Sequence, residues 1–184
     1  MSKFTSPADE AFFGAIGRLT ISWGHLDFGL DCLVEIVYLG CNGHEIEAEI
    51  PRSLSRKLRY LRAAFKRMPL QQDAIEAFLL IFDQIETEAR FRHNLIHGII
   101  TEQTERSGEA VITRVVREKH GVTKGHFRIT TAEILQAAKR TVKLGTRVFS
   151  VVDKVYRLVP KSTSQVWRKL EYNIIDLLQS DISP

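Results

Sequence analysis

Eight apolar residues spaced alternately four and three apart dominate the first part of the chain: Phe12, Ile16, Leu19, Trp23, Leu26, Leu30, Leu33 and Val37. A strand cannot keep such a row on one face, because its side chains alternate with every residue. An α-helix at about 100° per residue can, and a row of this length predicts a long helix packed along its whole length against others. Its start is legible as well. Ser6 can cap it, Pro7 suits the first helical position, and Asp9 and Glu10 suit the positive end of the helix dipole. Gly40 and the following Cys41, Asn42 and Gly43 end it. The row reads as the core seam of a bundle, part of which could serve a contact between two chains.

A connector, "HEIEAEIPRS", leads to a second helix expected from about Ser53 to Met68, with the apolar line Leu54, Leu58, Leu61, Phe65 and Met68. Pro69 closes it. From Pro51 to Arg67 there are seven basic residues and no acidic one. Arg52, Arg56, Arg59 and Lys66 fall opposite the apolar line. A solvated amphipathic face is one explanation for them. A surface that tracks a phosphate backbone is the other.

The third helix is expected over roughly Leu70 to Gly98, with Ile75, Phe78, Phe82, Ile85, Ala89, Arg92 and Ile96 in the same rhythm. The period then changes. "IITEQTE", "AVITRVVRE" and "GHFRIT" are short, rich in Val, Ile and Thr, and separated by turn signals at Ser107-Gly108 and His120-Gly121. They predict a small β-meander over about 99–130. Thr130 and Glu133 form a capping box for a fourth helix, with the line Ala138, Val142, Gly145, Phe149, Val152, Tyr156 and Val159, stopped by Pro160. A C-terminal helix over about 163–180 is expected from Trp167, Leu170, Ile174 and Leu177. The fold class is therefore mainly α: an antiparallel helical bundle with a small antiparallel β-meander inserted before the fourth long helix, in a single domain over 1–184.

Composition narrows the setting. With 44% apolar and 26% charged residues the chain is ordinary for a soluble domain, and its net charge of +4 permits a phosphate-bearing partner. No apolar run approaches the ~20 residues of a membrane span, and "MSKFTSPADE" has no apolar core of a signal peptide. Cys32 and Cys41 are the only thiols and lack CxxC spacing, so two small buried cysteines in a reducing cytoplasm is the simplest expectation. Phosphate-cradling loops, a GxSxG elbow and HExxH are all absent. His93 and His97 are four apart and could share a metal only if His25, Asp27, Asp31 or His44 completed the set in space. No cofactor is expected.

What remains is "ARFRHNLIHGII", from Ala89 to Ile100. Arg92 lies on the apolar line, where a guanidinium is costly unless its donors find acceptors, another chain or a ligand. It could be paired to Glu88, one turn earlier. Alternatively Arg92 and the histidines face a cleft or a two-fold interface that receives an anion.

At these residues the chain resembles the HEPN superfamily. Its signature is an arginine, a polar residue, and a histidine four to six residues beyond the arginine, commonly followed by glycine. "RHNLIHG" supplies Arg92, His97 and Gly98, with the polar role open between His93 and Asn94 because His93 directly follows the arginine. "ISWGHLDFGL" and "IPRSLSRKLRYLR" are also similar to segments of small bacterial members, and the likeness spans about residues 8–160. The resemblance implies a metal-independent endoribonuclease, a toxin or defence effector with an antitoxin protein as partner. In that chemistry an imidazole takes the proton of a ribose 2′-OH or protonates the leaving 5′-oxygen and a guanidinium clamps the phosphate, giving a 2′,3′-cyclic phosphate and a 5′-hydroxyl. Arg52, Arg56, Arg59 and Lys66 are then the candidate RNA-binding residues. The resemblance further implies a homodimer with two facing copies of the motif. Arg92 and His97 lie about 140° apart on a straight helix, so one copy alone makes no compact site. The resemblance also admits a non-catalytic RNA- or nucleotide-binding module. A structural or adaptor helical homodimer is the reading outside the motif chemistry.

Overall fold

The computed structural model describes residues 6–104, 109–118 and 121–158. In chain order it contains α1 (Pro7–Gly40), a short 3-10 turn (Gly43–Glu45), α2 (Leu54–Phe65), α3 (Gln72–Ile96), β1 (Ile99–Thr104), β2 (Glu109–Glu118), β3 (Gly121–Thr130) and α4 (Thr131–Leu158). The protein is thus mainly helical with one small antiparallel sheet in the order β1-β2-β3. The expected C-terminal helix and the stop at Pro160 lie outside the described residues. No described helix is long and apolar enough to cross a membrane.

The caps form as their chemistry requires. Ser6 N–H donates to the Asp9 carboxylate at 3.0 Å while Asp9 N–H donates to the Ser6 hydroxyl at 3.2 Å. Thr130 and Glu133 exchange the same pair of bonds at 2.7 and 3.2 Å, which holds the Glu133 carboxyl below its usual range. Past α1, Asn42 takes the left-handed conformation with φ 51°. The helices α2 and α3 are each slightly shorter than their apolar patterns suggested. Met68 and Arg67 still bond back to the Ala64 carbonyl, so the chain leaves α2 through a tightened last turn.

Contacts divide the chain into two compact units. The first takes the chain up to Leu26 and Leu80–Thr146. Its core joins Phe12, Ala15 and Leu19 of α1 with Leu95 of α3, Ala110 and Ile112 of β2, Ile129 of β3, and Ile134 and Ala137 of α4. The strands alternate so that Ala110 and Ile112 point inward. Two helix lines differ from expectation. At the end of α3 the buried position passes from Ile96 to Leu95, because a row spaced by fours and threes drifts around a helix of about 3.6 residues per turn and the sheet covers the Leu95 side. On α4 three residues of the expected row, Ala138, Gly145 and Val152, are buried, but the buried face also takes in Ile134, Ala137, Thr141 and Leu144, and Val142 is left 53% exposed. Thr141 disguised these added positions in the sequence. Its buried hydroxyl is satisfied by donating to the Ala137 carbonyl at 2.9 Å.

The second unit takes Asp27–Leu79 and the chain from Arg147 on. Leu30, Leu33, Val37, Leu58, Leu61 and Phe65 are all buried there, and Phe65 packs on Phe78 with ring centroids 5.1 Å apart. Lys57, one of the seven basic residues, is buried rather than solvated. Its Nζ lies 2.8 Å from Asp27 and 2.7 Å from Asp31, both on α1. Burial alone would pull the ammonium down, and the two carboxylates more than offset it, so its pKa ends above that of an ordinary lysine. Cys32 and Cys41 are both free and half-buried, and burial pushes both thiols up, Cys32 to about 11. Neither resembles an activated thiolate.

Candidate functional site at the end of the third helix

The C-terminal turn of α3 meets the sheet in the first unit. Gly98, just past the helix, permits this approach. A Cβ there would overlap Ile112 Cγ2 of β2 and lie 2.8 Å from the Asn94 carbonyl oxygen. The glycine after His97 therefore has a packing reason to be there.

Arg92 turns toward α1. Its guanidinium carbon lies 5.4 Å from the centre of the Trp23 ring, within cation–π range, and its buried Nε has no hydrogen-bond partner. The carboxylate offered to it by sequence, Glu88, is taken by Arg140 of α4, whose Nε donates at 2.5 Å. Arg92 is thus held by an aromatic face instead of by a salt bridge.

The opposite side of the turn carries His93, Asn94 and His97. The two imidazoles, one helical turn apart, have ring centroids 4.5 Å apart. A residue outside the motif joins His93 to Asn94. Arg114 of β2 donates through Nη1 to Asn94 Oδ1 at 2.5 Å and through Nη2 to His93 Nε2 at 2.6 Å. Burial, with the positive charges of Arg114, His97 and Arg92 around it, holds His93 below the usual histidine pKa. His93 and His97 are exposed, and Asn94 and Arg114 are half-exposed.

Arg114 could have been found from sequence. In "AVITRVVRE" the alternation that buries Ala110 and Ile112 puts Arg114 next on the same face. An arginine on an apolar row with a period of two is the same anomaly as Arg92 on a helical row.

Among the described residues, six other basic side chains are held by carboxylates. Arg56 and Arg59 both bond Glu47, Arg128 meets Glu109, Arg140 meets Glu88, Arg157 meets Asp153, and Lys57 meets Asp27 and Asp31. Among the described residues neither Arg92 nor Arg114 has a carboxylate partner, and no side chain hydrogen-bonds the His97 ring. On the histidine side of the turn, the Arg114 guanidinium and two imidazoles with no paired anion form a place for one.

The other expected site residues lie in the second unit. Arg56 and Arg59 reach Glu47 of the connector at 2.8 and 3.0 Å, so an acid that is distant in sequence interrupts the basic stripe. Arg52 and Lys66 are exposed. Among the described residues no group of three or more His, Cys, Asp or Glu side chains is placed to hold a metal ion. A cavity of about 480 Å³ in this unit is lined by Ile46, Met68, Leu70 and Leu158 together with Asn42 and Arg67. No described histidine lines it, so it lacks the proton-transfer groups of the α3 turn.

Comparison with known proteins finds no matching family model, no matching curated protein and no matching solved structure.

Proposed function

We propose that the protein is an HEPN-like, metal-independent endoribonuclease, a toxin or defence effector, which cleaves RNA to a 2′,3′-cyclic phosphate and a 5′-hydroxyl. The observation that carries this reading is the gathering at one end of α3 of two guanidiniums without carboxylate partners, Arg92 and Arg114, with the imidazoles of His93 and His97 and the Asn94 amide. Guanidiniums suit a phosphodiester that gains charge on the way to its pentacoordinate transition state. An exposed imidazole suits transfer of the 2′-hydroxyl proton.

Arg92 and the imidazoles use different sides of the helix, which supports a site completed by a second copy of the chain across a two-fold axis. Light scattering at micromolar concentration is expected to give twice the chain mass of 21.0 kDa, and a mass of one chain would contradict a shared site. Incubating the protein with mixed RNA in EDTA tests the activity. Cleavage that Arg92→Ala abolishes supports the enzyme. Binding without cleavage would replace it with an RNA-binding module, and neither binding nor cleavage would leave a structural dimer.

Arg52 and Lys66 are the better phosphate contacts of the α2 region, since Glu47 offsets Arg56 and Arg59. Neutralising Arg52 and Lys66 together is expected to lower the slope of log affinity against log salt by about 1.4 for single-stranded RNA. An unchanged slope would remove α2 from the RNA path.

A further inference from the structure

We propose that Arg114 is the positioning residue of the α3 cluster: it fixes His93 as a neutral acceptor protonated on Nδ1, turns the Asn94 carboxamide oxygen toward the sheet, and leaves His97 as the imidazole that exchanges protons with substrate. The assignment to His97 rests on the ribonuclease reading, whereas the state of His93 and Asn94 does not.

The argument begins with donors and acceptors. A guanidinium carries only N–H donors. Its Nη2 lies 2.6 Å from His93 Nε2, so that nitrogen must present its lone pair. A neutral ring then has its proton on Nδ1. The same guanidinium selects the oxygen end of the Asn94 amide, 2.5 Å from Nη1. Both contacts come from one planar, rigid fork, which fixes the two side chains relative to each other.

Charge reinforces the geometry. The groups that face His93 are Arg114 from β2 and Arg92 and His97 from its own helix, all basic. Protonating Nε2 would turn it against a donor and add a charge beside a guanidinium. Once engaged, His93 can offer a substrate only its Nδ1–H, which suits a phosphoryl oxygen. His97 is one turn on and exposed, and its ring has no hydrogen-bond partner among the described residues, so both of its nitrogens remain available. The two histidines therefore divide the work: one donates a fixed hydrogen bond and the other moves protons.

The experiment is a ¹H–¹⁵N multiple-bond NMR titration of the ¹⁵N-histidine-labelled full chain, together with its Arg114→Gln and Arg114→Lys variants. In the wild type His93 is expected as the Nδ1–H tautomer at neutral pH, with a midpoint below the ordinary 6.5. In Arg114→Gln the midpoint should rise toward the ordinary value and the tautomer should revert to the usual Nε2–H. Arg114→Lys keeps the charge and should retain part of the depression. An Nε2–H or doubly protonated His93 in the neutral wild type overturns the proposal without recourse to any variant. So does a folded Arg114→Gln in which His93 is unchanged. On RNA, Arg114→Gln should lower the cleavage rate roughly 10- to 100-fold and move the acid limb of its pH profile upward. Wild-type protein that cuts no RNA would end the ribonuclease reading and the His97 assignment, while the tautomer result would still decide what Arg114 does.

Discussion

His97→Ala is expected to reduce RNA cleavage by about 10²- to 10⁴-fold, the range for removing a general acid or base. The residue is exposed, and no described side chain hydrogen-bonds its ring. Its loss should therefore leave stability within about 0.5 kcal/mol of the wild type. That separation makes the variant informative: a large loss of rate with an unchanged melting temperature assigns the effect to chemistry. Arg92→Ala should also be inactive, by about 10²- to 10³-fold if its guanidinium stabilises the charged transition state. It should also cost stability, because the cation–π contact with the buried Trp23 goes with it. Activity retained by His97→Ala, measured beside a wild type that cleaves, would move the proton-transfer role elsewhere.

The second large effect falls on the glycine that joins α3 to the sheet. Gly98→Ala is expected to destabilise the protein by about 1–3 kcal/mol, the usual range for forcing a methyl group into a filled space. For a chain of this size each kcal/mol lowers the melting temperature by roughly 2–4 °C. The new methyl would meet Ile112, which is fully buried, and the Asn94 carbonyl oxygen, which belongs to the helix backbone. Neither can simply rotate away. Since Asn94 also receives Arg114, the same change should loosen the site. The double variant Gly98→Ala/Ile112→Ala removes the methyl in the way, so the two changes should be less than additive. Full additivity, or an unchanged melting temperature for Gly98→Ala, would mean that the junction is more yielding than its geometry implies.

The parts of this fold that were legible in sequence are those whose signals are local and repeated. The eight-residue row of α1, the caps at Ser6 and Thr130, and the change of period after Gly98 each stand on several residues that agree. Of the α1 row only Ile16 is not fully buried. On α4 the buried positions Ala137, Thr141 and Leu144 beside the expected row were missed because Thr141 breaks an apolar row that its own hydroxyl bond makes tolerable. The pairing of Glu47 with Arg56 and Arg59 was hidden for a different reason. It depends on where a connector folds back, which no periodicity encodes. At the site, Arg92, His93, Asn94 and His97 were drawn from one stretch of helix, and the structure joins His93 and Asn94 to a single strand residue, packs His97 on the His93 ring and sends Arg92 to Trp23. Arg114 needed the strand's inward face to be known first. The same residues gave the aromatic seat of Arg92 no signal beyond a tryptophan on the α1 row.

End-group analysis of RNA cut by the wild type in EDTA, run beside the Arg92→Ala/His97→Ala double variant, tests the central claim most directly. The account predicts fragments ending in a 2′,3′-cyclic phosphate and beginning with a 5′-hydroxyl from the wild type, and none from the double variant. Intact RNA with the wild type, or equal cleavage by both proteins, would contradict it.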